Sequence, residues 1–152
     1  MAAADYADRV TDILAFETSA QGKELSSRGT LFGTEAGFLC TGIQKLAQRF
    51  LLELLTESGS IVHQKERGCD FLKNLRSGNV RTELDVFQIF SLGRPVVASN
   101  LRGEEDGSEP NDERYAGSYL SNVIIAQDSL TLTIAVQSRQ GTTREIILPL
   151  AM

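Results

Sequence analysis

Leu130-Thr131-Leu132-Thr133-Ile134-Ala135-Val136 is the stretch that decides the fold class. Leu130, Leu132, Ile134 and Val136 alternate with Thr131, Thr133 and Ala135, and a period of two places the four large residues on one face of a β-strand. Turn residues flank it on both sides, Gln127-Asp128-Ser129 before and Arg139-Gln140-Gly141 after. Beyond those turns, Tyr119–Ala126 and Arg144–Leu150 read as two further strands of an antiparallel meander. Pro149 cannot donate to a ladder, so the last strand ends there or lies at an edge.

Upstream the period changes. Leu39, Ile43, Leu46, Ala47, Phe50, Leu51, Leu54 and Leu55 recur at three- and four-residue steps, which predicts a helix over about 39–56. Gln44, Lys45, Gln48, Arg49 and Glu53 take its other side. The apolar stripe is wide, so this helix is expected to be nearly buried in the final assembly. Glu57-Ser58-Gly59-Ser60 closes it, with Gly59 as the stop. Residues 61–78 read as a link holding a short helix, Cys69–Arg76. Asn79 suits the N-cap of the next helix, whose stripe is Val80, Leu84 and Phe87, with Val86 and Phe90 beside it. Gly93-Arg94-Pro95 is expected to break that helix, Pro95 opening another that runs to about Arg102 and buries Val96, Val97 and Leu101.

Helices first and strands last predict an α+β domain, with two to four helices on a C-terminal antiparallel meander. That domain spans residues 38–150. Residues 1–37 read as an extended N-terminal segment, with a strand in Arg9–Thr18 and a Gly- and Ser-rich run from Ser19 to Gly37.

Composition removes function classes. Fifteen Lys and Arg against twenty Asp and Glu leave a net charge of −5, which argues against nucleic acid as a partner. No apolar run approaches a membrane span, and the Met1–Tyr6 start lacks a signal-peptide pattern, so no membrane and a cytoplasmic site of synthesis are expected. Two cysteines without metal-like spacing, Cys40 and Cys69, and one histidine, His63, argue against a zinc site built from a Cys/His cluster. Cys40, inside the first helix, is expected to be a small core residue.

Candidate chemistry is sparse. Glu66 and Asp70 could meet on one face of a turn as a carboxylate pair, but charged residues in polar segments are usually solvated. Residues 103–113 carry six acids and no base. They lack the ligand spacing of a calcium loop and read as a solvated loop. No dinucleotide, phosphate-loop or zinc-protease motif occurs, so no catalytic residue, cofactor or metal is expected. What remains is physical: a three-stranded meander must cover its outer strands or offer one to another chain.

The run Gly42-Ile43-Gln44-Lys45-Leu46-Ala47-Gln48-Arg49-Phe50-Leu51-Leu52-Glu53-Leu54-Leu55-Thr56-Glu57-Ser58-Gly59-Ser60 resembles the baseplate wedge family of contractile phage tails. That family includes the matching component of type VI secretion baseplates. Its helix end, Leu-Leu-Thr-x-x-Gly, is matched by Leu54, Leu55, Thr56 and Gly59. A Gly-containing turn follows, here Gly68-Cys69-Asp70. Asp112-Glu113-Arg114 stands where the family carries a Glu-Pro-Arg or Asp-Glu-Arg signature, though without the central proline of many members. The likeness covers about residues 38–150.

The resemblance implies a fold like the inner part of a tail sheath subunit. It also implies a structural role: a virion protein, assembled in the bacterial host cytoplasm, that links the baseplate wedge to tube and sheath and nucleates the sheath. The implied partners are wedge heterodimer proteins, the sheath subunit and tube or tube-initiator proteins, at six copies per baseplate. Asp112, Glu113 and Arg114 would be the protein-interaction motif. Because some members carry a lysozyme label, the alternatives are a peptidoglycan-degrading tail enzyme or a tail assembly chaperone.

Overall fold

The computed structural model describes residues 39–151, together with 9–10, 12–13, 16–17 and 26–27, of the 152-residue chain. In chain order the elements are β1 (Asp12–Ile13), β2 (Phe16–Glu17), β3 (Ser26–Ser27), β4 (Leu39–Cys40), α1 (Gly42–Leu55), α2 (Phe71–Arg76), α3 (Glu83–Glu104), β5 (Tyr115–Ile125), β6 (Ser129–Ser138) and β7 (Thr143–Ala151). The alternating stretch forms the middle of a three-stranded antiparallel sheet of order β5-β6-β7. Leu132 stands opposite Val123 on one side and Leu148 on the other; Ile134 stands between Leu120 and Ile146. All of these point into the core. The α+β architecture expected from the sequence is the one observed.

One face of the sheet carries the helices. Leu46, Phe50 and Leu54 of α1 are wholly buried in a cluster with Leu132, Ile134 and Ile146. Phe50 stacks on Tyr115 at a ring separation of 6.1 Å and an interplanar angle of 7°, tying α1 to the start of β5. Phe71 of α2 meets Phe90 of α3 edge to face, also at 6.1 Å. Pro149 lies within β7, an edge strand, as its missing N–H requires. Within residues 1–37, the described pieces pair β1 with β4 and β2 with β3, both antiparallel. The expected Gly- and Ser-rich stretch falls mostly outside the described residues.

Four readings need correction. Cys40 is not in α1 but in β4, paired with Asp12; the helix starts after Thr41. α1 stops at Leu55, where Thr56 turns extended and both its N–H and its hydroxyl donate to Leu52 O; Gly59 lies beyond, in the loop. α3 is capped by Thr82, not Asn79: Thr82 Oγ1 accepts from Asp85 N, and Asp85 accepts in return from the Thr82 N–H.

The fourth correction is the largest. Gly93-Arg94-Pro95 does not break α3, which runs unbroken for 22 residues. Pro95 costs an interior helix about 3 kcal/mol. Burying Val86, Phe90, Val97 and Leu101 on one stripe returns about 1.5–3 kcal/mol for each, so packing wins. Gly93 is on that stripe too, packed against α2: a Cβ there would stand at ordinary contact distance, 3.4 Å from Phe71 Cβ and 3.6 Å from Cys69 Sγ. The stripe also rotates the helix, leaving Leu84, Phe87 and Val96 exposed rather than buried.

Candidate functional site

The polar side of α1 does not face water. Lys45, Gln48 and Glu53 are all buried, and each has a distant partner. At the start of the helix, Thr41 makes no side-chain cap. The missing acceptor comes from 71 residues further along the chain: Gly42 N–H donates to Glu113 Oε1 at 2.9 Å. A carboxylate at a helix N-terminus satisfies an orphan donor and lies favourably on the helix dipole.

Glu113 is 1% exposed. Its Oε2 accepts from Lys45 Nζ at 2.9 Å, and Lys45 also donates to the Val10 carbonyl at 2.7 Å. Arg9 donates to Asp112 Oδ2 at 2.9 Å and stands 3.8 Å from Glu113. Asp112 and Glu113 therefore fasten three pieces of chain together: the residues around Arg9, the head of α1 and the approach to β5. Gly42 is required there. Its φ is +64°, and a Cβ would lie 3.0 Å from Asp112 Oδ2. Arg114, the third residue of the motif, turns away and donates through Nη2 to the Gly107 carbonyl.

A second buried carboxylate works at the tail of α1. Glu53, 2% exposed, accepts from Gly68 N–H and Asn100 Nδ2, each at 3.0 Å, and pairs with Arg67. Glu104 takes Arg49 at 2.9 Å and also meets Arg67. Cys69 N–H returns to Thr56 O at 2.9 Å, closing the loop on the helix end. Gly68 has φ +82°, and any Cβ there would collide with that same carbonyl. So Leu54 is core, Leu55 is half-buried, and Thr56 anchors the turn that follows.

The acidic stretch is thus a solvated loop only in its middle, around residues 106–108, and is tied down at both ends. Glu104, Glu105, Asp112 and Glu113 all hold ion pairs; Glu105 pairs with Arg139 at 3.2 Å and also accepts a hydrogen bond from Tyr115 N–H at 2.8 Å. Asp106 and Glu109 accept from amides of their own turn, which holds the Asp106 carboxyl below the usual range through its Ser108 bonds. Glu66 and Asp70 are both exposed, Glu66 offering its carbonyl to Asn100. Burial pushes the Cys40 thiol up to about 11, with Asp12 adding, and raises the Cys69 thiol too, which keeps both thiols protonated and unreactive. Among the described residues, no group of three or more His, Cys, Asp or Glu converges to hold a metal ion.

The two margins of the sheet differ. Over β5, α3 lays Arg94 and Arg102, which donate to the Ser118 and Ala116 carbonyls at 3.2 Å each; Arg102 also covers the Tyr115 ring at 5.5 Å. Along β7, the described residues make no hydrogen bond or ion pair except the ladder to β6. The first part of β5 is covered by the protein's own helix, and no described residue covers β7 in the same way. Comparison with known proteins adds no relative: no family model, curated protein or solved structure matches this chain.

Proposed function

We propose that this chain is a structural component of a contractile-tail baseplate, linking the wedge to tube and sheath and nucleating sheath assembly. The observation that carries the reading is the uneven sheet: α3 donates to the Ala116 and Ser118 carbonyls of β5, whereas no described residue bonds to the outer side of β7. A free edge binds an extended segment through its unpaired backbone groups, so assembly needs no chemistry at this site. The likeness of residues 38–150 to the baseplate wedge family supports the same role and supplies its partners: wedge heterodimer proteins, the sheath subunit and tube or tube-initiator proteins, with six copies per baseplate. In this reading Asp112 and Glu113 serve partners indirectly, by setting the start of β5 against α1. No helix among the described residues is long and apolar enough to cross a membrane.

Immunogold labelling of purified tail particles with an antibody against this chain tests the proposal. Label at the junction of baseplate and sheath is the expected result. Particles free of label contradict it, and clearing of peptidoglycan by the purified protein would put the enzyme reading in its place.

A further inference from the structure

At the end of the sheet where β6 begins and β7 finishes, the surface opens into a cleft of about 240 Å³. Its walls are Leu72 and Leu75 of α2, Val80 of the following loop, and Leu130 and Leu150, which are cross-strand partners. Leu75 and Leu130 form a buried floor, whereas Leu72, Val80 and Leu150 are half-buried and keep apolar surface in water. An apolar cavity of about 150 Å³ already accommodates benzene, so this cleft has room for one bulky side chain. On its rim stands Arg76, exposed and without a hydrogen bond or ion pair among the described residues. Lys73 shares the last turn of α2 with it and is also exposed.

Two of these observations fix what fits. Leu150 and its neighbour Ala151 belong to β7, an edge strand whose outer side no described residue pairs with. A strand added beside β7 keeps the period of two, so alternate side chains fall on the same face as Leu150 and one of them reaches the cleft. The guanidinium at the rim then selects a carboxylate close to that side chain. We propose that the cleft is the specificity pocket for an extended segment of a partner protein, one bearing a bulky apolar anchor with an acidic residue or chain-terminal carboxylate within two positions. This rests on the reading that β7 takes a partner strand.

The test is selection of phage-displayed random octapeptides on the full chain, followed by affinity measurement of the enriched peptides. Enriched sequences are expected to carry a Leu, Ile, Phe or Met anchor with a nearby Asp or Glu. Replacing the anchor by Ala is expected to weaken binding by at least about tenfold. Arg76→Glu is expected to do likewise while leaving the melting temperature unchanged, and Val80→Lys provides a second block of the cleft. N-methylation of alternate peptide amides should abolish binding, because strand addition needs them. Binding that needs the amides but ignores the anchor, the acid and Arg76 overturns the pocket and leaves strand addition standing. Anchor-dependent binding that survives N-methylation overturns strand addition at β7. No enrichment, or a cleft filled by the chain itself or by a second copy, overturns the inference outright.

Discussion

The two ends of the three-stranded sheet are finished differently. Where β5 starts and β6 ends, most buried polar groups are matched, Asp112 Oδ1 and Arg114 Nε being left over: Glu113 pairs with Gly42 and Lys45, Glu105 with Tyr115 N–H and Arg139, and Ser138 Oγ with Thr142 Oγ1. Where β6 starts and β7 ends, the surface is apolar, concave and edged by an unpaired arginine. Burying a charge pair is costly and seldom adds net stability over a hydrophobic substitute, but it makes one arrangement far better than its alternatives. An apolar cleft with a free strand edge does the opposite, keeping surface in reserve. The difference teaches that this fold is specified at one end and available at the other.

The most severe way to break the comparison is to remove what both ends share. Leu132, midway along β6 and wholly buried, packs against α1 through the common core. Leu132→Asp places an unpaired charge there and is expected to unfold the sheet, read as loss of the cooperative melting transition. An unchanged melting temperature would mean that face is not core.

Breaking only the matched end should cost less. Glu113→Ala leaves Lys45 buried without its counter-charge and Gly42 N–H without an acceptor, so a loss of about 3–5 kcal/mol is expected in denaturant unfolding. The exposed end should keep its peptide-binding preference in whatever fraction stays folded. A smaller effect at the same end comes from alkali. Cys40 ionises at about 11 in the folded chain against an ordinary value of 9. Its contribution is fully present below pH 9 and is lost as pH rises towards 11 and beyond. Cys40→Ala should therefore flatten the fall of melting temperature over that window. The smallest effect belongs to the available end: Arg76→Glu should shift stability by no more than about 0.5 kcal/mol.

The sheet was legible because its signal is local. Leu130 to Val136 alternate within seven residues, and the flanking turns carry their own chemistry. Core positions on α1 were legible for the same reason, from Leu46 through Leu54. Misreadings arose where local punctuation competes with tertiary packing. Gly93 and Pro95 look like a helix break, yet Gly93 lies on the buried stripe against Phe71 and Cys69 within an unbroken helix. Leu84 and Phe87 form as good a stripe as Val86 and Phe90, and only the neighbouring elements decide between them. The matched end was hidden altogether, since Lys45 and Glu113 are 68 residues apart and each alone looks like a solvated charge. Asp112-Glu113-Arg114 drew notice through the family likeness, and that likeness said nothing of Glu113 turning inward.

Residue-resolved amide hydrogen exchange on the full chain tests most directly whether one end is held and the other available. Gly42 and Tyr115, whose N–H groups donate to Glu113 and Glu105, are expected to exchange only through global unfolding. Ile147 and Ala151, whose N–H groups face away from β6 in this register, are expected to exchange faster by orders of magnitude. Protection of Ile147 and Ala151 equal to that of Gly42 and Tyr115 would contradict the account, because their outward N–H groups would then already be paired.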